Sequence, residues 1–160
     1  MALSDREITG TIKTKQIQIR PRIAKLNPAG VDLRIDRNLD IGPHRHALAA
    51  TIERIELSEH FLGILHIRSS LAREGIIASL ALVDPGFHGQ LTVSLYNAGD
   101  RSITLQRGER FIQLSLIRLG IPPTKTYAGK YQNSRGVVES RRKKIARRGK
   151  RQNVIHTIRS

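Results

Sequence analysis

Two guanidinium groups flank two hydroxyls in Arg68-Ser69-Ser70-Leu71-Ala72-Arg73, at what reads as a helix start. Unbonded backbone N–H groups there, with serine donors and an arginine fork, suit a polyphosphate. An arginine-flanked cap is equally a structural device, so this segment does not decide the matter alone. Asp84-Pro85-Gly86-Phe87-His88-Gly89 puts a carboxylate just before a tight bend, which on local grounds is a simple Asp-Pro-Gly turn. His44 and His46 stand two apart and would share one face of a strand, where they could hold a metal, but no third ligand is evident. A zinc-type cytidine deaminase needs cysteine ligands, and the chain has no cysteine. A serine hydrolase of the nucleophile-elbow kind needs Gly-x-Ser-x-Gly, which does not occur.

The elements that must position these groups read mainly as strands. Gln16-Ile17-Gln18-Ile19-Arg20 and Leu91-Thr92-Val93-Ser94-Leu95 alternate polar and apolar residues, and Phe111 to Ile117 is a β-rich run. Turn signals at Asn27-Pro28-Ala29-Gly30, Gly42-Pro43, Asp84-Pro85-Gly86, Asn97 to Asp100, Arg107-Gly108 and Pro122-Pro123 separate them. Many short strands at this spacing predict an all-β sandwich or barrel. Two short helices are expected, one opening at the Ser4/Glu7 capping-box pattern and one over Ser69 to Glu74.

The chain has 160 residues and a net charge of +15, enough length for one domain with a hydrophobic core. Arg141 to Ser160 holds nine Lys/Arg and no acid, whereas all 13 acids lie earlier. The body is therefore mildly basic and the tail strongly so. Residues 142–160 are read as a disordered extension with non-specific attraction for polyanions. No aromatic residue follows Tyr131, so that tail has no stacking platform for sequence-specific nucleic-acid recognition. No apolar run is long enough to span a membrane, and the charged N-terminus does not read as a signal peptide. The absence of cysteine rules out disulfides and thiol catalysis and suits a cytoplasmic location.

Taken in order, the segments resemble the dCTP-deaminase branch of the dUTPase superfamily. The resemblance starts at Leu3-Ser4-Asp5-Arg6-Glu7-Ile8 and Pro28-Ala29-Gly30-Val31-Asp32-Leu33-Arg34. It continues through Ala47–Leu57, Arg68–Gly75, Val83–Gly89, Leu91–Asn97 and Arg107–Leu114 to Lys130-Tyr131-Gln132 and Ser140-Arg141. It implies a distorted β-barrel of the dUTPase type, assembled as a homotrimer with active sites between subunits. By the same resemblance residues 1–126 form the barrel domain, and residues 127–141 form an arm that closes over the site. Asp84 would orient the attacking water, and Asp32 would hold the water shell of a magnesium–triphosphate. Arg68, Ser69, Ser70, Arg73, Gln113 and Lys130 would bind phosphates. Phe87 would pack on the sugar, Tyr127 would belong to the closing arm, and the main chain of Thr92-Val93-Ser94 would read the pyrimidine edge.

Two positions depart from the deaminase pattern. Ser94 stands where deaminases of this family carry a proton-shuttling Glu, and Ser134 stands where the arm has a Gln. A hydroxyl without a base beside it cannot do acid–base work at neutral pH, and losing that group costs roughly 10²–10⁴ in rate. The stretch from Arg34 to Ala47 also lacks the long insertion common in deaminases. The expectation is therefore a Mg²⁺-dependent dUTP diphosphatase acting on a deoxypyrimidine triphosphate. The alternatives are a dCTP deaminase, or bifunctional enzyme, in which another carboxylate such as Glu74 substitutes, and a non-catalytic nucleotide-sensing or nucleic-acid-associated homologue.

Overall fold

The computed structural model describes residues 1–79 and 81–142, so the basic tail lies outside the described residues apart from Arg142. Helix α1 covers Asp5–Lys13. Its capping box forms as the sequence predicts: Glu7 N–H donates to Ser4 Oγ at 3.4 Å, and Ser4 N–H donates to Glu7 Oε2 at 2.8 Å. The Ser4 N–H and the Ser4 hydroxyl, both donating to the Glu7 carboxyl, hold it below its ordinary pKa. A cap of this kind is worth about 1 kcal/mol. Ile8, on the inner face of α1, is fully buried. Among the described residues no helix is long and apolar enough to cross a membrane.

The strands are β1 Ile17–Arg20, β2 Lys25–Asn27, β3 Gly30–Arg34, β4 Leu39–Ile41, β5 His46–Leu57 and β6 Phe61–Ile67. Helix α2, Ser69–Arg73, follows, and then β7 Ile76–Ala78, β8 Leu82–Val83, β9 His88–Asn97, β10 Ile103–Leu105 and β11 Arg110–Arg118. The expected all-β architecture with two short helices is what forms, its strands lying in open sheets. One sheet has the order β1-β5-β9-β7, a second β2-β3-β11-β6-β8, and β10 pairs with β4. Every pairing is antiparallel.

Period-two alternation sends Leu91, Val93 and Leu95 of β9 into the core and leaves Gln90, Thr92 and Ser94 on the opposite face. Phe111, Leu114 and Leu116 of β11 and Phe61 and Leu65 of β6 fill the centre of the second sheet. Fully burying such side chains contributes about 1.5–3 kcal/mol each. Strand β5 breaks the alternation. Its register against β9 shifts between Ala50 and Arg54, and Ala49, Ala50 and Thr51 are buried in succession. The shift also turns Glu53 inward, where it is fully buried and meets Arg34 Nε at 2.7 Å. Arg34 N–H donates to the second Glu53 oxygen at 2.8 Å, so both carboxylate oxygens are satisfied.

Beyond β11 the chain returns to the Asp84 turn and to β9. Tyr127 N–H donates to Pro85 O at 2.8 Å, and Asn133 N–H donates to His88 O at 2.9 Å. Gln90 N–H donates to Ser134 O at 2.9 Å. The arm therefore lies against its own chain.

Candidate functional site

The turn at residues 84–87 is built by its own sequence. Phe87 N–H donates to Asp84 O at 3.1 Å, Pro85 occupies the second position and Gly86 adopts φ +82° at the third. Only glycine takes that conformation without strain, and here a Cβ would also stand 2.5 Å from Thr126 Cβ. The turn ends β8 and delivers Asp84 to a cleft of about 550 Å³. Asp84 is the one carboxylate among the residues lining that cleft. None of the ion pairs among the described residues uses it.

The cleft's floor and walls combine β9, β5 and the arm. Thr92 and Ser94 face it from β9, His46 and Leu48 from β5, and Tyr127, Tyr131, Ser134 and Val138 from the arm. Phe87 is nearly buried and tilts against Tyr127, with ring centroids 5.8 Å apart at 60°. Val93 is 1% exposed and points to the opposite, core side. The Ser94 main chain is engaged by Ser79, whose N–H donates to Ser94 O at 2.9 Å and whose Oγ accepts from Ser94 N–H at 3.4 Å. Thr92 Oγ1 accepts from Val138 N–H at 3.0 Å and donates to Gly136 O at 3.3 Å, so it anchors the arm.

The expected phosphate binders lie elsewhere. Arg68 is the N-cap residue of α2 and makes no side-chain cap bond; Ser69, Ser70 and Arg73 are exposed on that helix. Gln113 sits on β11 opposite Asp32 of β3. Gly30 lets β3 approach closely, since a Cβ there would lie 2.8 Å from Leu114 O and 2.9 Å from Gln113 Nε2. Lys130 donates from Nζ to Arg141 O at 2.9 Å and lies 5.6 Å over the Tyr131 ring. None of these residues, and not Asp32, lines the cleft that holds Asp84.

Asp32 is 4% exposed and its oxygens are taken. Asn27 Nδ2 donates to Oδ1 at 2.7 Å, an Arg110 guanidinium N–H donates to Oδ2 at 3.2 Å, and Arg68 Nε is 3.6 Å away. A carboxylate clasped by two guanidinium groups is a poor ligand for a further cation, because its charge is already compensated. Among the described residues no group of three His, Asp or Glu side chains could hold a metal ion. A resident metal therefore does not fit the described residues, Asp32 included. His44 and His46 go to different partners, Asp100 at 3.2 Å and Ser94 Oγ at 2.8 Å.

Gln90 was not singled out from sequence, and Tyr131, Gln132 and Ser134 were noted there without the contacts they make. Gln132 clamps the arm, its Oε1 accepting from His88 N–H at 3.0 Å and its Nε2 donating to Gly86 O at 2.8 Å and Tyr127 O at 3.1 Å. Gln90 donates to Thr51 O at 2.8 Å and accepts from Gly136 N–H at 2.8 Å. Tyr131 accepts from Arg141 N–H at 3.1 Å, which lowers its hydroxyl pKa from the ordinary value. Ser134 is 8% exposed and donates to Tyr131 O at 2.6 Å, so it closes a turn inside the arm. The signal for Gln90 was its place on the cleft side of an alternating strand; the arm residues were marked by the family resemblance alone.

Comparisons with known proteins bear on the family and the fold. A family model described as dCTP deaminase-like matches residues 35–119. A protein of Pyrococcus horikoshii named dCTP deaminase is 44% identical over 147 residues, covering 82% of this chain and 94% of its own. A protein of Sulfolobus islandicus rod-shaped virus 1, named probable deoxyuridine 5'-triphosphate nucleotidohydrolase, is 37% identical and covers 86% of this chain and 96% of its own. Among solved structures, the EIAV dUTPase superposes with a TM-score of 0.59 at 21% identity, over 71% of this chain and 98% of that one. The last likeness speaks for the fold. The sequence matches span nearly the full length of the relatives and include the Asp84 turn and the strand that faces it, and on that ground the chain belongs to the dCTP deaminase-like family of nucleotide-metabolising enzymes.

Proposed function

We propose that the chain hydrolyses dUTP to dUMP and pyrophosphate, with Asp84 as the base that activates water. The observation that carries this is the cleft's single carboxylate, held on a hydrogen-bonded turn and in no ion pair among the described residues. Water bound at Asp84 would give its proton to the carboxylate as its oxygen attacks the α-phosphorus. The bond from that phosphorus to the bridging oxygen would break, releasing pyrophosphate. A positioned base of this kind contributes roughly 10²–10⁴ in rate. Phe87 and Tyr127 supply the apolar wall for the sugar. The phosphates would be held by the exposed start of α2, by Ser69, Ser70, Arg68 and Arg73, and by Gln113 of β11.

Those phosphate groups do not line the Asp84 cleft of the same chain. Two sets of groups that act on one nucleotide would therefore come from different copies, which supports a homotrimer with shared sites. Mg²⁺ would enter with the nucleotide and neutralise phosphate charge.

Deamination of dCTP is the second reading, favoured by the names that several relatives carry, the Pyrococcus horikoshii protein among them. Against it stands the missing carboxylate at Ser94. Glu74, a possible substitute, is exposed at the end of α2 and does not line the cleft. Purified protein incubated with Mg²⁺ and either dUTP or dCTP, with products separated by chromatography, tests both. Pyrophosphate and dUMP from dUTP support hydrolysis; ammonia from dCTP with intact dUTP would replace it with deamination.

A further inference from the structure

We infer that His46 sets the base selectivity of the cleft by fixing the direction in which the Ser94 hydroxyl donates. The inference rests on the nucleotide reading of the cleft and adds a residue that no motif marks. His46 opens β5 and lies diagonally across from Ser94 of β9, whose direct partner in register is Leu48. Its Nε2 is 2.8 Å from Ser94 Oγ, and both residues line the cleft.

Among the β9 side chains that face the cleft, the Ser94 hydroxyl, paired with His46, is the one left free to meet a base edge. Gln90 spends its amide on Thr51 O and Gly136 N–H, and Thr92 spends its hydroxyl on the arm. The Ser94 main chain is engaged by Ser79. The Ser94 hydroxyl keeps one donor and two lone pairs to share between His46 and a ligand. With hydrogen on Nε2, His46 donates to Oγ and turns the Ser94 O–H outward, toward a carbonyl. That polarity matches O4 of uracil and opposes the amino group of cytosine. An ionised carboxylate at this position would be acceptor-only and would favour the amino group instead. The Ser94–His46 pair thus presents the opposite polarity to an acid, and His46 is a positioning residue acting through Ser94.

Titration calorimetry with Mg²⁺ and the non-hydrolysable α,β-imido analogues of dUTP and dCTP tests this without requiring turnover. Wild type should bind the uracil analogue more tightly. His46→Ala should reduce that preference by about tenfold, the effect of one hydrogen bond, chiefly by weakening the uracil analogue. His46→Gln, whose amide can still donate to Oγ, should restore most of it. Melting temperatures of the three proteins confirm that each is folded. An unchanged ratio in His46→Ala, equal weakening of both analogues, or a wild-type preference for cytosine would overturn the inference. Selective binding that responds to His46 in a protein that never cleaves dUTP would sink the hydrolytic reading while upholding this one; failure to bind either analogue would sink both.

Discussion

At the scale of single residues, two carboxylates look alike in sequence and differ in surroundings. Asp32 is enclosed by Asn27, Arg68 and Arg110, whereas Asp84 stands in the cleft without a cation beside it. The first holds β3 and β11 together; the second is available for chemistry. Asp84→Asn keeps the turn, whose hydrogen bond uses the main chain, and removes the base. The expected outcome is a fall in kcat of roughly 10²-fold or more with little change in dUTP-analogue affinity, read by pyrophosphate release and calorimetry. Glu53 makes the opposite case. It is fully buried and satisfied by Arg34 alone, so Glu53→Ala strands a partly buried guanidinium. The expected cost is about 3–5 kcal/mol in urea denaturation.

Elements were legible where the apolar period was clean. Strands β1 and β9 follow two-residue alternation, β11 does so from Ile112 onward, α1 appears where its capping box announces it, and α2 forms within the expected Ser69–Glu74 stretch. Strand β5 was not, although it is the longest, because three consecutive buried residues and the inward-facing Thr51 and Glu53 disrupt its pattern at the register shift. The arm was legible only as a destination. Which side chains dock it depends on Gln90, Thr92 and Gln132 meeting main-chain groups about forty residues away, and local patterning carries no trace of that. The same gap hid the Ser94–His46 contact, which joins two strands through a sheet diagonal. Gln132→Ala removes two bonds from the arm to Gly86 and His88 and a third inside the arm, to Tyr127 O. Cleavage by a protease within residues 127–141 should then speed up several-fold, and kcat/KM for dUTP should fall, while the melting temperature of the body changes by only a few degrees.

For the whole molecule, one chain supplies the Asp84 cleft and, outside it, the groups proposed to bind phosphate, and the proposed hydrolysis needs both at one nucleotide. The base-lined cleft carries Asp84, while Arg73 lies on α2 outside it. Co-expression of differently tagged Asp84→Asn and Arg73→Ala chains, isolated as mixed oligomers, tests this arrangement directly. Each variant alone should release pyrophosphate from dUTP at a small fraction of the wild-type rate. In a cyclic trimer that contains both variants, one site in three would pair an intact Asp84 from one copy with an intact Arg73 from another, so activity should recover to about a third of wild type. Mixed oligomers no more active than the two parents would contradict the shared site, and with it the account of how this chain handles its nucleotide.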